Sequence, residues 1–208
     1  MRIAGALRRI SSIFVMLVVA GCASNGSFNT APPQPPPDPH TQMAALETRI
    51  FEIVQEERRK IDPAAKPLAL DYELQGVARQ RSQDMATKNY MAHTAPTGET
   101  SASIIMDEDA KFQGLLGENI AAQHYLKAYG VDVEVFAHRF VNTWLKSQSH
   151  RDNLAYALYN RTGIGAAVNG DTVYVTQLFA TDMGLPPPDG PPTPKDAPPV
   201  LLHPPAKR

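Results

Sequence analysis

Apolar residues recur at helical spacing over several stretches of the chain and alternate over a last one. From Met43 to Lys60, Leu46, Ile50, Ile53, Val54 and the following Ile61 fall on one face, and Glu47, Arg49, Glu52, Glu56 and Arg59 are assigned to the opposite, charged face. This predicts an amphipathic helix closed by Asp62-Pro63. Asp71 is placed to cap a second helix reaching about Lys88, with Leu74, Val77, Ala78, Ser82 and Met85 on one side. A short helical piece is expected from Ser101. The strongest periodicity lies between Val131 and Lys146, where Val133, Phe136, Ala137, Phe140, Val141, Trp144 and Leu145 make one stripe. Ile164 to Val168, Asn169-Gly170 and Asp171 to Phe179 then read as strand, turn, strand, because Asn-Gly supplies the two positive-φ positions of a type I′ turn. Helices that precede strands without repeated alternation predict an α+β fold, helices packed on a small mixed sheet.

The prolines and the single cysteine divide the chain. Sixteen of the 19 prolines lie outside residues 40–184, and Cys22 is the only thiol. Arg2, Arg8 and Arg9 precede a short apolar stretch from Ile10 to Ala20, the pattern of an export signal and too short to span a bilayer. That stretch runs into Val19-Ala20-Gly21-Cys22, which resembles the lipobox of bacterial lipoproteins, where the cysteine is acylated. The expected organisation is a lipoprotein signal over residues 1–21, a Pro-rich linker over 22–40, a folded domain over 41–184 and a Pro-rich tail over 185–208. The protein would be exported and held by palmitate-type chains at a membrane of the cell envelope. The outer membrane is favoured over the inner, since Ala23 and Ser24 lack the acidic retention signal. With 20 Lys+Arg against 21 Asp+Glu there is no electrostatic reason to expect nucleic acid. Nothing here specifies an oligomeric state.

Common catalytic signatures are absent: no H-E-x-x-H, G-x-S-x-G or Walker A loop. Among the histidines, His40 and His203 sit in the Pro-rich ends, His138 on a polar helix face, and His124 without a partner at ligand spacing. His93 and His150 differ, because each is expected just past a helix, where a scaffold presents functional side chains. Between them Gly117-Glu118-Asn119 places a carboxylate beside a glycine expected to turn the backbone. Two imidazoles and a carboxylate could be an open metal site, a metal-free ligand cleft or a structural hydrogen-bonded network. Gln177 reads as a buried amide satisfying backbone, Arg151 and Asn153 as loop stabilisers, and Trp144 as core.

The runs Asn89-Tyr90-Met91-Ala92-His93-Thr94, Gly117-Glu118-Asn119-Ile120-Ala121, Trp144 with Ser149-His150-Arg151-Asp152-Asn153-Leu154, and Tyr174-Val175-Thr176-Gln177-Leu178-Phe179 together resemble the CAP (SCP) superfamily. That superfamily holds the cysteine-rich secretory proteins, antigen 5 and the pathogenesis-related type 1 proteins. The likeness covers about residues 43–180. It implies an α-β-α sandwich with a cleft lined by two histidines and acidic residues, which in some members binds a divalent metal such as Zn2+. Carried over position by position, His93, Glu118 and His150 match cleft residues, with Asn119 and Ser147 adjacent. Ser147 stands where animal and plant members have a second glutamate, and it should continue the stripe of Val133, Phe140 and Trp144. The family's disulfides are missing.

The expected function is therefore a membrane-anchored envelope domain binding a lipid or other small apolar, envelope-derived ligand in a His/Glu-lined cleft, with or without a divalent metal. The alternative is a metal-dependent hydrolase using His93, His150 and Glu118. A third reading makes the domain a scaffold whose Pro-rich tail docks partners.

Overall fold

The computed structural model describes residues 34–181. The expected signal segment, Cys22, most of the expected linker, His203 and the Pro-rich tail lie outside the described residues. Helix α1 (Pro39–Ile61) starts earlier than its apolar stripe, because Asp38 accepts a hydrogen bond from the His40 amide at 3.0 Å and Pro39 occupies the first turn. Strand β1 (Ala69–Leu70) leads into α2 (Tyr72–Lys88), where Asp71 accepts from the amides of Glu73 and Leu74 as its position predicted. Helix α3 (Ser101–Glu108) carries a reciprocal cap between Thr100 and Ser103. Strand β2 (Leu116–His124), α4 (Val133–Lys146), α5 (Gln148–Ala155), β3 (Arg161–Asn169) and β4 (Thr172–Ala180) complete the order.

The four strands lie in the order β1-β3-β4-β2, with β1 and β3 parallel and the other pairs antiparallel. The fold is α+β, helices on a mixed sheet, as the pattern predicted. One helical layer is α1, α4 and α5, whose Leu46, Ile50, Phe140, Trp144 and Leu154 are fully buried with Phe179 and Val175 of the sheet. The other is α2 and α3, whose Leu74, Val77, Ala78 and Ile104 pack with Leu178 and Ala180. β2 is a sheet edge, and this places its residues where the two layers meet.

Several local expectations are corrected. Glu47, assigned to the charged face of α1, is buried; it pairs with Arg79 and accepts the Ala166 amide at 3.0 Å. Ile61, counted in the stripe, is exposed at the helix end. The hairpin turn is shifted by one residue: Asn169 pairs with Thr172, so Gly170-Asp171 form the turn, and only Gly170 has a positive φ, 64°. This is the hairpin with glycine at its first central position. Asn169 stays extended because its Nδ2 donates to the Ala86 carbonyl at 2.7 Å. Gly117 makes no turn either; it lies inside β2, and a Cβ there would sit 2.4 Å from the Tyr159 hydroxyl.

Candidate functional site

The left-handed Asn89 (φ 54°) ends α2 and turns the chain into the loop that carries His93. Glu118 projects from β2 toward the same side, and its two oxygens are both taken. Ser101, the first residue of α3, donates to Oε1 at 2.6 Å, and His93 Nδ1 lies 2.6 Å from Oε2. A carboxylate offers only acceptors, so Nδ1 carries the proton and Nε2 faces outward chemistry. His93 is 58% exposed whereas Glu118 is 13% exposed, a solvent-facing imidazole on a sunken support. The bond to Glu118 raises the His93 pKa above its ordinary value, burial opposing it.

Beneath Glu118 lies Arg81, wholly buried, with its Nε 3.9 Å from Oε1. Its Nη1 donates to the Tyr90 hydroxyl at 3.0 Å, and its Nη2 to the carbonyls of Ala92 and His93 at 3.0 and 3.2 Å. Tyr90 in turn donates to Asp84, which Lys88 also holds. One guanidinium thus ties α2, the His93 loop and the β2 carboxylate together. Sequence reasoning missed it. The signal was present: Arg81 falls four residues after Val77 and four before Met85, on the buried stripe of α2.

The second histidine arrives from the other layer. Ser147 has extended backbone (φ −94°, ψ 124°) that breaks α4 from α5, so His150 lies in the first turn of α5 and not in a loop after α4. The Ser147 hydroxyl sits 3.3 Å from that of Ser149 at this junction. Asn119, fully buried on the opposite face of β2 from Glu118, donates to the His150 carbonyl at 3.1 Å. Asn153 donates to the Glu118 carbonyl at 3.1 Å and to Asn119 Oδ1 at 2.9 Å, so it fastens α5 to β2, a reach that a loop-stabilising role did not anticipate. The rings of His93 and His150 are 6.4 Å apart between centroids and inclined by 57°. Burial and the neighbouring His93 push the His150 pKa down. Among the described residues its buried Nδ1 has no hydrogen-bond partner, which leaves Nε2 as the ring nitrogen open to contact.

His93, Glu118, His150 and Asn119 are thus brought together, and Ser147 stands at the α4–α5 junction. Gln177 is buried; its Nε2 donates to Thr162 Oγ1 at 3.1 Å rather than to backbone, and among the described residues its Oε1 has no hydrogen-bond partner. His124 and His138 are exposed and pair with Asp171 and Glu134. A recess of about 570 Å³ lies over Leu74, Val77, Ile105 and Phe112, at the other end of α3 from Ser101, and does not include the histidines.

Residues 59–179 match the model of the cysteine-rich secretory protein family, CAP, over more than half of the chain. The chain belongs to the CAP family. It is 31% identical over 130 residues to the uncharacterized protein YkwD of Bacillus subtilis (strain 168), across 62% of this chain and 46% of that protein. The match therefore spans just under half the length of that curated relative. Among solved structures, an extracellular protein containing a SCP domain from Bacillus anthracis str. Ames is similar with a TM-score of 0.52 and 30% identity, over 73% of this chain and 45% of that one. An outer surface protein from Borrelia burgdorferi shares the fold at a TM-score of 0.55 and 22% identity, over 66% of this chain and 92% of that chain.

In this CAP cleft Glu118 supports an imidazole instead of standing free beside the two histidines. Both Glu118 oxygens are engaged by Ser101 and His93, and among the described residues no three or more His, Cys, Asp or Glu side chains are disposed to hold an ion. The donor set that fits is two imidazoles, with Glu118 as the carboxylate that orients one of them.

Proposed function

We propose that this CAP domain is a binding module of the bacterial envelope, held by a lipid on Cys22, whose cleft between His93 and His150 takes an envelope-derived ligand. The observation that carries this reading is the construction beneath His93. A buried arginine, a serine and a largely buried glutamate hold an imidazole that stays 58% exposed. Such a support fixes the ring in advance for contact with something outside, which lowers the entropy cost of binding. The ligand meets two imidazole Nε2 atoms, and Met91, two residues before His93 and 54% exposed, offers an apolar edge. A partly apolar, partly polar molecule such as a lipid with its headgroup suits that lining.

The test is to purify the mature protein from its host membrane and identify retained lipid by mass spectrometry. The wild type is expected to carry lipid and His93→Ala to lose most of it, while a wild type that neither retains nor exchanges lipid overturns the reading. The same spectra read the mass at Cys22, and fractionation of the two membranes reads the outer-membrane placement.

A second reading keeps the metal. His93 Nε2 and His150 Nε2 would hold a divalent ion such as Zn2+, which supplies Lewis acidity when bound. Two protein donors fall one short of the three usual in catalytic zinc sites, and this ranks the hydrolase below the binding module. Calorimetric zinc titration of wild type and His93→Ala separates the two: equal, millimolar-weak binding removes the metal reading.

A further inference from the structure

The cleft is at one end of β2, and the other end of that strand carries a feature the binding reading does not use. Past His124 the chain forms the loop Tyr125–Gly130, in which Leu126 is 69% and Tyr129 78% exposed. Val135, on the next helix, is 45% exposed and joins them around a recess of about 420 Å³ that also takes in Tyr125 and Phe136. Apolar side chains scattered singly over a surface need no explanation, but these are gathered at one corner.

The linker enters at this same corner. Gly130 has a φ of 65°, and a Cβ on it would lie 2.7 Å from Pro36 Cβ, so the chain passes directly over this loop before α1 begins. About 14 residues separate Pro36 from Cys22, a reach of at most about 50 Å when fully extended. A lipid on Cys22 would hold this corner close to the bilayer at high effective concentration, where weak apolar contacts suffice.

The corner carries charges of both signs. Asp132 is engaged in capping α4, where it accepts from the Val135 amide at 2.9 Å, and Asp171 is engaged by His124 and Thr172. Lys127 and Arg139 are exposed, the latter lying 5.2 Å above the Phe136 ring. Tyrosine, leucine and lysine together are the residues that settle at a membrane–water interface, apolar bodies inward and polar tips in the headgroups.

We infer that the Tyr125–Gly130 loop is a membrane seat: Leu126 and Tyr129 enter the lipid interface and Lys127 and Arg139 meet anionic headgroups. This rests on the anchoring reading. Glu118 and His124 are six residues apart on one strand, so the seat holds the cleft about 20 Å from the lipid surface.

The test tethers the chain from Cys22 onward, through the Cys22 thiol, to a maleimide phospholipid in phosphatidylethanolamine–phosphatidylglycerol vesicles whose acyl chains are brominated. Tyr129→Trp is compared with Tyr72→Trp, an equally exposed position at the start of α2, over the background of buried Trp144. Quenching of the added fluorescence by at least half for Tyr129→Trp, with none for Tyr72→Trp, is the expected result. Equal quenching of the two, or none in either, overturns the seat. Because the chemical tether replaces any natural acylation, an unmodified Cys22 in the purified protein would overturn the anchor without touching this result.

Discussion

The two faces of the sheet are packed by opposite means. Against α1, α4 and α5 the sheet uses bulk: Trp144, Phe140, Phe179 and Leu154 are fully buried and Phe140 and Trp144 lie 6.5 Å apart between centroids. Against α2 it uses closeness. Gly163 and Gly165 of β3 have no side chain, and a Cβ on either would lie 2.2 and 2.1 Å from the backbone of α2 at Gln75 and Arg79. That proximity lets polar groups bond directly across the layers, as Ser82 does to the Gly165 carbonyl at 2.9 Å and to Thr176 at 3.0 Å. The bulky face supplies most of the apolar burial, while the close face supplies a rigid seat for Arg81 and so for His93. The cleft exists because both meet at the edge strand β2.

The largest effect should come from the bulky face. Trp144→Ala deletes a fully buried ring and its 3.3 Å hydrogen bond to the Ile120 carbonyl; a loss of about 3–5 kcal/mol in chemical denaturation is expected. A loss under about 1 kcal/mol would mean that this face is not the main core. On the close face, Gly165→Ala adds one carbon and should still destabilise by about 1–3 kcal/mol, because α2 must retreat. A neutral Gly165→Ala would break the contrast. The smallest effect belongs to the two histidines, one held from each face. The His93 pKa is raised, so its contribution is fully present below the unfolded value of about 6.5 and fades as pH rises through the folded one. The His150 pKa is lowered, so stability falls as pH drops below about 6.5, because the folded ring resists the proton. The two oppose each other, each under about 1 kcal/mol because solvent screens partly exposed groups. Nuclear magnetic resonance titration should show His93 protonating at higher pH than His150, and coincident midpoints would remove the electrostatic difference between them.

Much of this fold was legible in the spacing of apolar residues, because each layer buries one stripe per helix. The α2 and α4 stripes follow from side-chain periodicity, the Asp71 cap from its residue type, and the two strands from an apolar run on each side of a turn signal; a helix does begin at Ser101. What escaped it was charge on the buried side. Glu47, Arg58 and Arg81 are buried because each finds partners across the fold, Arg58 donating to the carbonyls of Leu154 and Tyr156 at 2.6 and 3.3 Å. A reading that files every charged residue with the solvent face loses them, since spacing along one helix does not display their partners in other segments. In the site, His93 and Glu118 were legible through the family likeness. Their support by Arg81 and Ser101 was not, because a buried guanidinium announces itself only when the stripe it interrupts is taken seriously. The α4–α5 boundary escaped for a local reason: helical spacing continues in the sequence, but the backbone at Ser147 turns extended.

An edge strand ordinarily presents open backbone groups on which another chain can build. Along β2 two of those carbonyls are already claimed, Glu118 by Asn153 and Ile120 by Trp144. The residues that hold the cleft in shape therefore also close part of this sheet edge, so crowded copies of this domain meet a shortened template for further strands. Removing Asn153 and Trp144 together would reopen that edge, and loss of solubility would accompany loss of the cleft.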